Sequence, residues 1–143
     1  MIKVLFICHG NICRSPMAEF IMKDLVQKAG LSSQFERASA ATSTEEIGNP
    51  VYPPARRKLA EHGIDCSGKT AWQLQNKDYD CYDLLIGMDR ANLRRIYQIC
   101  GGKLHRPTMG KGDAHFPQLA LCSRVDVISY FLPAGSRRGN LAF

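Results

Sequence analysis

Between Leu5 and Pro16 the chain reads LFICHGNICRSP. A cysteine, Cys8, closes an apolar run; Arg14 follows it in the same short stretch, with Ser15 beside it. These residue types at this spacing suit one chemistry, the binding of a tetrahedral oxyanion above a nucleophilic sulfur. The planar fork of an arginine holds two phosphoryl oxygens at once, which the point charge of a lysine does not. A cysteine attacks as the thiolate, and a helix N-terminus with a nearby arginine favours that form. The Ser15 hydroxyl, donating to the sulfur, favours it further. Gly10 lets the backbone curl without a Cβ clash. Asn11 tolerates the left-handed conformation better than most residues. The expected product is a ring of backbone N–H donors sized for a phosphate, with Cys8 at its base and Arg14 at its far end. That arrangement fits in-line attack on phosphorus and a phosphocysteine intermediate.

Such a loop needs a strand before it and a helix after it. Ile2–Cys8 (IKVLFIC) is a β-branched, apolar run of the kind buried on both faces of a parallel sheet. Ser15 and Pro16 begin a helix, with Ser15 as its cap and proline at a favoured early position. Met17, Phe20, Ile21, Leu25 and Val26 recur at helical spacing as far as Gly30. The segment from Cys8 to Ser15 therefore joins the carboxyl end of a central strand to a helix start. Open α/β sheets bind ligands there, and the unpaired N–H groups and helix dipole attract an anion. Further on, Phe35–Thr42 reads as a strand, Asn49–Pro54 as a turn, Pro54–His62 as a helix stopped by Gly63, and Tyr82–Met88 as a third strand. Asp89 caps a helix that runs through Ile99 to the Gly101-Gly102 pair, and Lys103–Arg106 is a short fourth strand. Strands alternating with helices imply an α/β three-layer sandwich around a central four-stranded parallel sheet, flavodoxin-like in order.

The stretch CHGNICRSP, followed by MAEF, resembles the signature loop of the low-molecular-weight protein tyrosine phosphatases. The likeness continues through SAATSTEEIGNPVYPPARRKLAEHGID, AWQL and YDLLIGMDRANLRRIY. It implies Cys8 as the nucleophile and Arg14 as the phosphate ligand that stabilises the transition state. His9, Gly10, Asn11, Ile12 and Cys13 would supply loop amides to the phosphate beside Arg14 and Ser15, with Ser15 also supporting the thiolate. A buried polar network holds the asparagine of that family's loop, and Ser39 matches one of its members. Another member, a histidine ahead of the AxQ segment, is replaced here by Lys69. Cys13 matches a second cysteine that closes a reversible disulfide with the nucleophile under peroxide, which would shield Cys8 from higher oxidation. Glu45, Glu46 and Ile47 fall in a loop resembling the family's substrate-selecting wall. The implied substrate is a phosphotyrosine protein or a small phosphomonoester, with phosphate and other oxyanions as further ligands and no cofactor.

The family carries its general acid in an Asp-Pro pair near the C-terminus, followed by a last helix. No Asp-Pro dipeptide occurs in this chain. After Pro107 the only acids are Asp113 and Asp126. Asp126, in RVDVISYF, is the candidate general acid by position. Residues 104–143 thus form an atypical tail in place of the expected acid loop and last helix, within a single phosphatase domain spanning 1–143. Two alternatives follow: a phosphate-binding pseudophosphatase, and an arsenate reductase of the same fold. The reductase chemistry needs a later pair of cysteines in one short segment, whereas Cys81 stands alone in DYDCYDLL.

Bulk properties agree with this reading. With 143 residues, 45% hydrophobic and 22% charged, the chain is long enough for one real core. No apolar run reaches the length of a membrane span. The N-terminus shows no cleavage site of a signal peptide. Six cysteines without an export signal read as reduced thiols in a cytoplasm, and the lack of any CxxC pair argues against zinc. The net charge of +6 favours anionic partners. The basic tail is read as a solvated segment, with no nucleic acid partner expected.

Overall fold

The apolar run Ile2–Cys8 becomes strand β1 and lies inside the sheet, as its unbroken β-branched character requires. The structure, a computed structural model, describes residues 1–101 and the strand at 118–121. After β1 come helix α1 (Arg14–Lys28), strand β2 (Phe35–Ala41), helix α2 (Pro53–Glu61), strand β3 (Leu84–Gly87), helix α3 (Arg90–Ile99) and strand β4 (Gln118–Leu121). The four described strands pair in parallel and the sheet order is β2-β1-β3-β4, the flavodoxin-like order expected. The fourth strand of this sheet is Gln118–Leu121. The expected strand at Lys103–Arg106 lies outside the described residues, as do Asp126 and the 104–143 tail apart from Gln118–Leu121.

Alternation along β1 divides the core between two layers. Val4, Phe6 and Cys8 turn to one face and pack with Ala18, Phe20 and Ile21 of α1 and Ala55 and Leu59 of α2. Leu5 and Ile7 turn to the other, against Leu74, Tyr79, Leu85 and Ile96. Parity therefore puts Cys8 on the α1 side of the sheet. In β2, Ala40 belongs to the opposite layer, so its neighbour Ser39 returns to the α1 side. Gly87 permits the close seat of α3 on β3, where an added Cβ would meet Leu93 Cδ2 at 3.0 Å.

Two details of α1 differ from expectation. Its helical residues begin at Arg14, with Cys13 in the capping position and no side-chain cap. Ser15 does not cap, because its hydroxyl is fully buried and engaged inside the preceding loop. Pro16 still falls within the first turn, where a missing N–H breaks no helical bond. Leu25 is half exposed, since Phe20, Ile21 and Val26 supply the buried face of that part of the helix. The start of α3 is as expected: Asp89 accepts the Asn92 N–H at 2.7 Å.

Candidate active site

The loop between β1 and α1 closes back on its own cysteine. Asn11 adopts φ 57°, the left-handed turn that its side chain tolerates. That turn aims the Asn11 N–H at Cys8 Sγ, 3.2 Å away. Ser15 Oγ stands 3.0 Å from the same sulfur. The sulfur thus lies at the base of the loop beside the Asn11 N–H and the Ser15 hydroxyl.

The chain leaving β2 clamps this loop from outside. Thr42 N donates to the Cys8 carbonyl at 2.9 Å, and Ser43 N to the His9 carbonyl at 3.0 Å. Tyr52 N donates to the Ile12 carbonyl at 2.7 Å. A Cβ at Gly10 would come within 3.3 Å of Glu46 Cγ, so that side chain would have to shift by a few tenths of an ångström. At the solvent side His9 Nε2 meets Glu45 Oε2 at 3.1 Å. Ile47 and Tyr52, both about half exposed, lie in the segment that clamps the loop. Cys13 is half-buried, its carbonyl accepts the Met17 N–H at 3.1 Å, and no disulfide joins the described cysteines.

Arg14 is held by a residue that sequence reasoning treats only as a helix cap. Its guanidinium donates to Asp89 Oδ2 at 2.7 Å. Burial acts to raise Asp89, but hydrogen bonds from Arg14 and from Asn92 outweigh it and hold the carboxyl below the usual range. The sequence places Asp89 just after strand β3, but the sheet order, with β3 beside β1, is what opens both strand ends on one edge.

Behind the loop the Asn11 carboxamide lies between two buried hydroxyls, Ser15 Oγ at 2.8 Å and Ser39 Oγ at 2.9 Å. Ser39 in turn donates to Glu19. Lys69 pairs with Glu19 at 3.1 Å and donates to the Ser39 carbonyl at 2.9 Å. The structure thus gathers Cys8, Asn11, Ser15 and Ser39 into one bonded group. Sequence reasoning missed Glu19, although its position four residues after Ser15 places both on one face of α1.

Known proteins share this architecture. A model of the family described as low molecular weight phosphotyrosine protein phosphatase matches residues 3–109. The low molecular weight protein-tyrosine-phosphatase YfkJ of Bacillus subtilis is 42% identical over 103 residues, which is 72% of this chain and 66% of that protein. The human low molecular weight phosphotyrosine protein phosphatase is 43% identical over 93 residues, 65% of this chain and 58% of that protein. The chain thus spans less than two thirds of either relative. The crystal structure of YfkJ matches with a TM-score of 0.71 at 36% identity, covering 81% of this chain and 77% of that one. The crystal structure of a Drosophila arginine phosphatase matches with a TM-score of 0.71 at 28% identity, covering 84% and 70%.

Proposed function

The chain belongs to the low molecular weight phosphotyrosine protein phosphatase family, and on that premise we propose that it hydrolyses phosphotyrosine-type monoesters through a phosphocysteine intermediate. One observation carries the reading. Cys8 Sγ receives the Asn11 N–H and contacts the Ser15 hydroxyl at the base of a loop whose far end is Arg14. A sulfur so supplied with donors is suited to exist as a thiolate.

In the first step the Cys8 thiolate attacks phosphorus opposite the ester oxygen. The S–P bond forms, the P–O bond breaks, and the departing phenol oxygen takes a proton from a general acid. In the second step water attacks the phosphocysteine, releases inorganic phosphate and restores the thiolate, with the former acid accepting the water proton. Arg14 and the loop amides of His9, Gly10, Asn11, Ile12, Cys13 and Ser15 bear the charge on the non-bridging oxygens in both steps. Asp89 keeps the guanidinium turned to the loop. Asp126 is the proposed acid. Acid catalysis contributes about 10²–10⁴ in rate, so activated aryl esters depend on it least. Reversible pairing of Cys13 with Cys8 would protect the nucleophile under peroxide. A reducing cytoplasm is the setting in which both thiols stay available.

Full-chain protein mixed with p-nitrophenyl phosphate should give a burst of nitrophenol and a trappable phosphoryl group on Cys8. Turnover without label on Cys8 would overturn the mechanism. The missing Asp-Pro pair favours a second reading, oxyanion binding without turnover. Tight orthovanadate binding by a chain that shows no burst would select it. The phosphate loop does not by itself separate phosphotyrosine from phosphoarginine, and the arginine phosphatase neighbour makes phosphoarginine the competitor substrate to assay.

A further inference from the structure

Helix α3 begins at the candidate active site with its charges opposite to those a helix start favours. Its cap, Asp89, binds Arg14 at 2.7 Å, and the strand that delivers the cap, β3, lies beside β1. Arg90 comes next, and Arg94 and Tyr97 follow it at the spacing of one helical stripe. All three residues are exposed, while Asn92 and Ile96 take the buried face. Neither Arg90 nor Arg94 has a salt-bridge partner among the described residues.

This stripe does not help α3 to fold. The positive end of the helix dipole favours acids, yet the first turn holds none and opens with an arginine. Two arginines four residues apart on one face repel each other. Tyr97 is left 47% exposed. Sequences break local rules in this way at functional surfaces, and arginine and tyrosine are residue types enriched where proteins meet partners.

Size and charge say what the stripe fits. Arg90 to Tyr97 covers about 10 Å of helix, the length of about three residues of extended chain. Two exposed guanidinium groups attract carboxylates. The other end of the β1–α1 loop repels them, because Glu45 meets His9 at 3.1 Å and Glu46 Cγ lies close to Gly10. An acidic flank of a bound phosphoprotein is therefore turned away at the His9 end and drawn in at the Arg14 end. The chain's own residues after Pro107 have the wrong charge to occupy the stripe, since Lys111, Arg124, Arg137 and Arg138 outnumber Asp113 and Asp126.

We propose that the Arg90–Arg94–Tyr97 stripe docks an acidic segment of the substrate protein, next to its phosphorylated residue. The inference rests on the proposed binding of a phosphomonoester in the Cys8–Ser15 loop.

Fluorescence anisotropy of dye-labelled phosphotyrosine peptides, with the full chain carrying Cys8→Ser, reads docking without turnover. One peptide carries three glutamates before the phosphotyrosine, a second carries them after it, and a third has alanines in both places. At low salt one of the two acidic peptides should bind about 3- to 10-fold more tightly than the neutral one, as two exposed charge pairs allow. About 0.5 M salt should erase most of that gain. Arg90→Gln/Arg94→Gln should abolish it, and Arg94→Gln alone, a full turn from Asp89, should remove part of it. Taking each ratio against the neutral peptide cancels any change in the loop itself. Arg56→Gln/Arg57→Gln on α2 removes the same net charge and should keep the gain. The α3 double variant should melt no lower than wild type, because it relieves the helix start of a cation and a like-charge pair. Acidic peptides that bind no better than the neutral one, a gain that survives the α3 variant, or an equal loss from the α2 variant would overturn the proposal. Equally tight binding of the acidic peptide without its phosphate would also overturn it, by marking a polyanion surface separate from the loop. Selective docking by a chain that, with Cys8 intact, never turns over p-nitrophenyl phosphate would count against the proposed hydrolysis and still support the stripe.

Discussion

Asp89 binds Arg14 at 2.7 Å with one carboxylate oxygen while its other oxygen accepts the Asn92 N–H at 2.7 Å. One side chain thus ties the start of α3 to the far end of the β1–α1 loop. The arginine reaches its place by a contact across two strand ends.

That double use can be separated by substitution. Asparagine is as good a helix cap as aspartate, so Asp89→Asn should keep the cap and lose only the stability that the ionised carboxylate contributes near neutral pH. It removes the charge that orients Arg14, and kcat/KM should fall about 10- to 100-fold. Asp89→Ala should show the same kinetic loss plus about 1 kcal/mol from the missing cap. Steady-state kinetics with thermal melts checks both.

The acid limb of stability should carry the same signature. Asp89 is held below the usual carboxylate range when folded. The unfolded chain therefore binds its proton first as the pH falls, and stability declines with acid. The contribution is fully present above about pH 4, and it is lost as the pH drops through the lower folded value. Urea unfolding of wild type and Asp89→Asn at stepped pH should show a gap that is constant near neutrality and closes in acid. A gap that widens in acid would contradict the assignment.

Cys8→Ser should reduce turnover of p-nitrophenyl phosphate to background, because a serine hydroxyl is a far weaker nucleophile than a cysteine sulfur. The loop amides and Arg14 remain, so binding of phosphate or orthovanadate should persist in part. Calorimetry against either anion, alongside the assay, distinguishes loss of chemistry from loss of the loop.

Asn11 joins backbone strain to buried hydrogen bonding. Asn11→Ala loses the residue type suited to φ 57° and strips the Ser15 and Ser39 hydroxyls of a partner. The expected cost is about 2–4 kcal/mol. Asn11→Gly should recover the backbone part only. Equilibrium urea unfolding of the two variants measures the division.

If Asp126 supplies the leaving-group proton, Asp126→Asn should slow phosphotyrosine turnover about 10²-fold or more while barely affecting an activated aryl ester. Equal effects on both substrates would remove Asp126 from the mechanism.

Local physics made the loop legible in the sequence. A β-branched run had to be a buried strand, the helical periodicity after it fixed where the chain turned, and glycine and asparagine between them permitted the curl. The order of cysteine, arginine and serine then pointed to an anion site, because their reach is set within a few residues of chain. The capping role first read for Ser15 failed for a related reason. Cap preference is a weak local term, and burial beside a sulfur and an amide outweighs it.

What the sequence by itself determined was the strand–loop–helix unit, the alternation of layers and the residue types at the base and far end of the cup. Tertiary structure alone decided which distant groups govern them. Sheet order brought Asp89 to Arg14. The β1–β2 register, with Phe6 opposite Ser39, brought a serine from the second strand under Asn11, and the packing of α1 set Glu19 and Lys69 behind it. Such pairings join residues far apart along the chain, and no periodicity or local propensity records them. They exist only once parallel strands have been registered and a helix laid across their face.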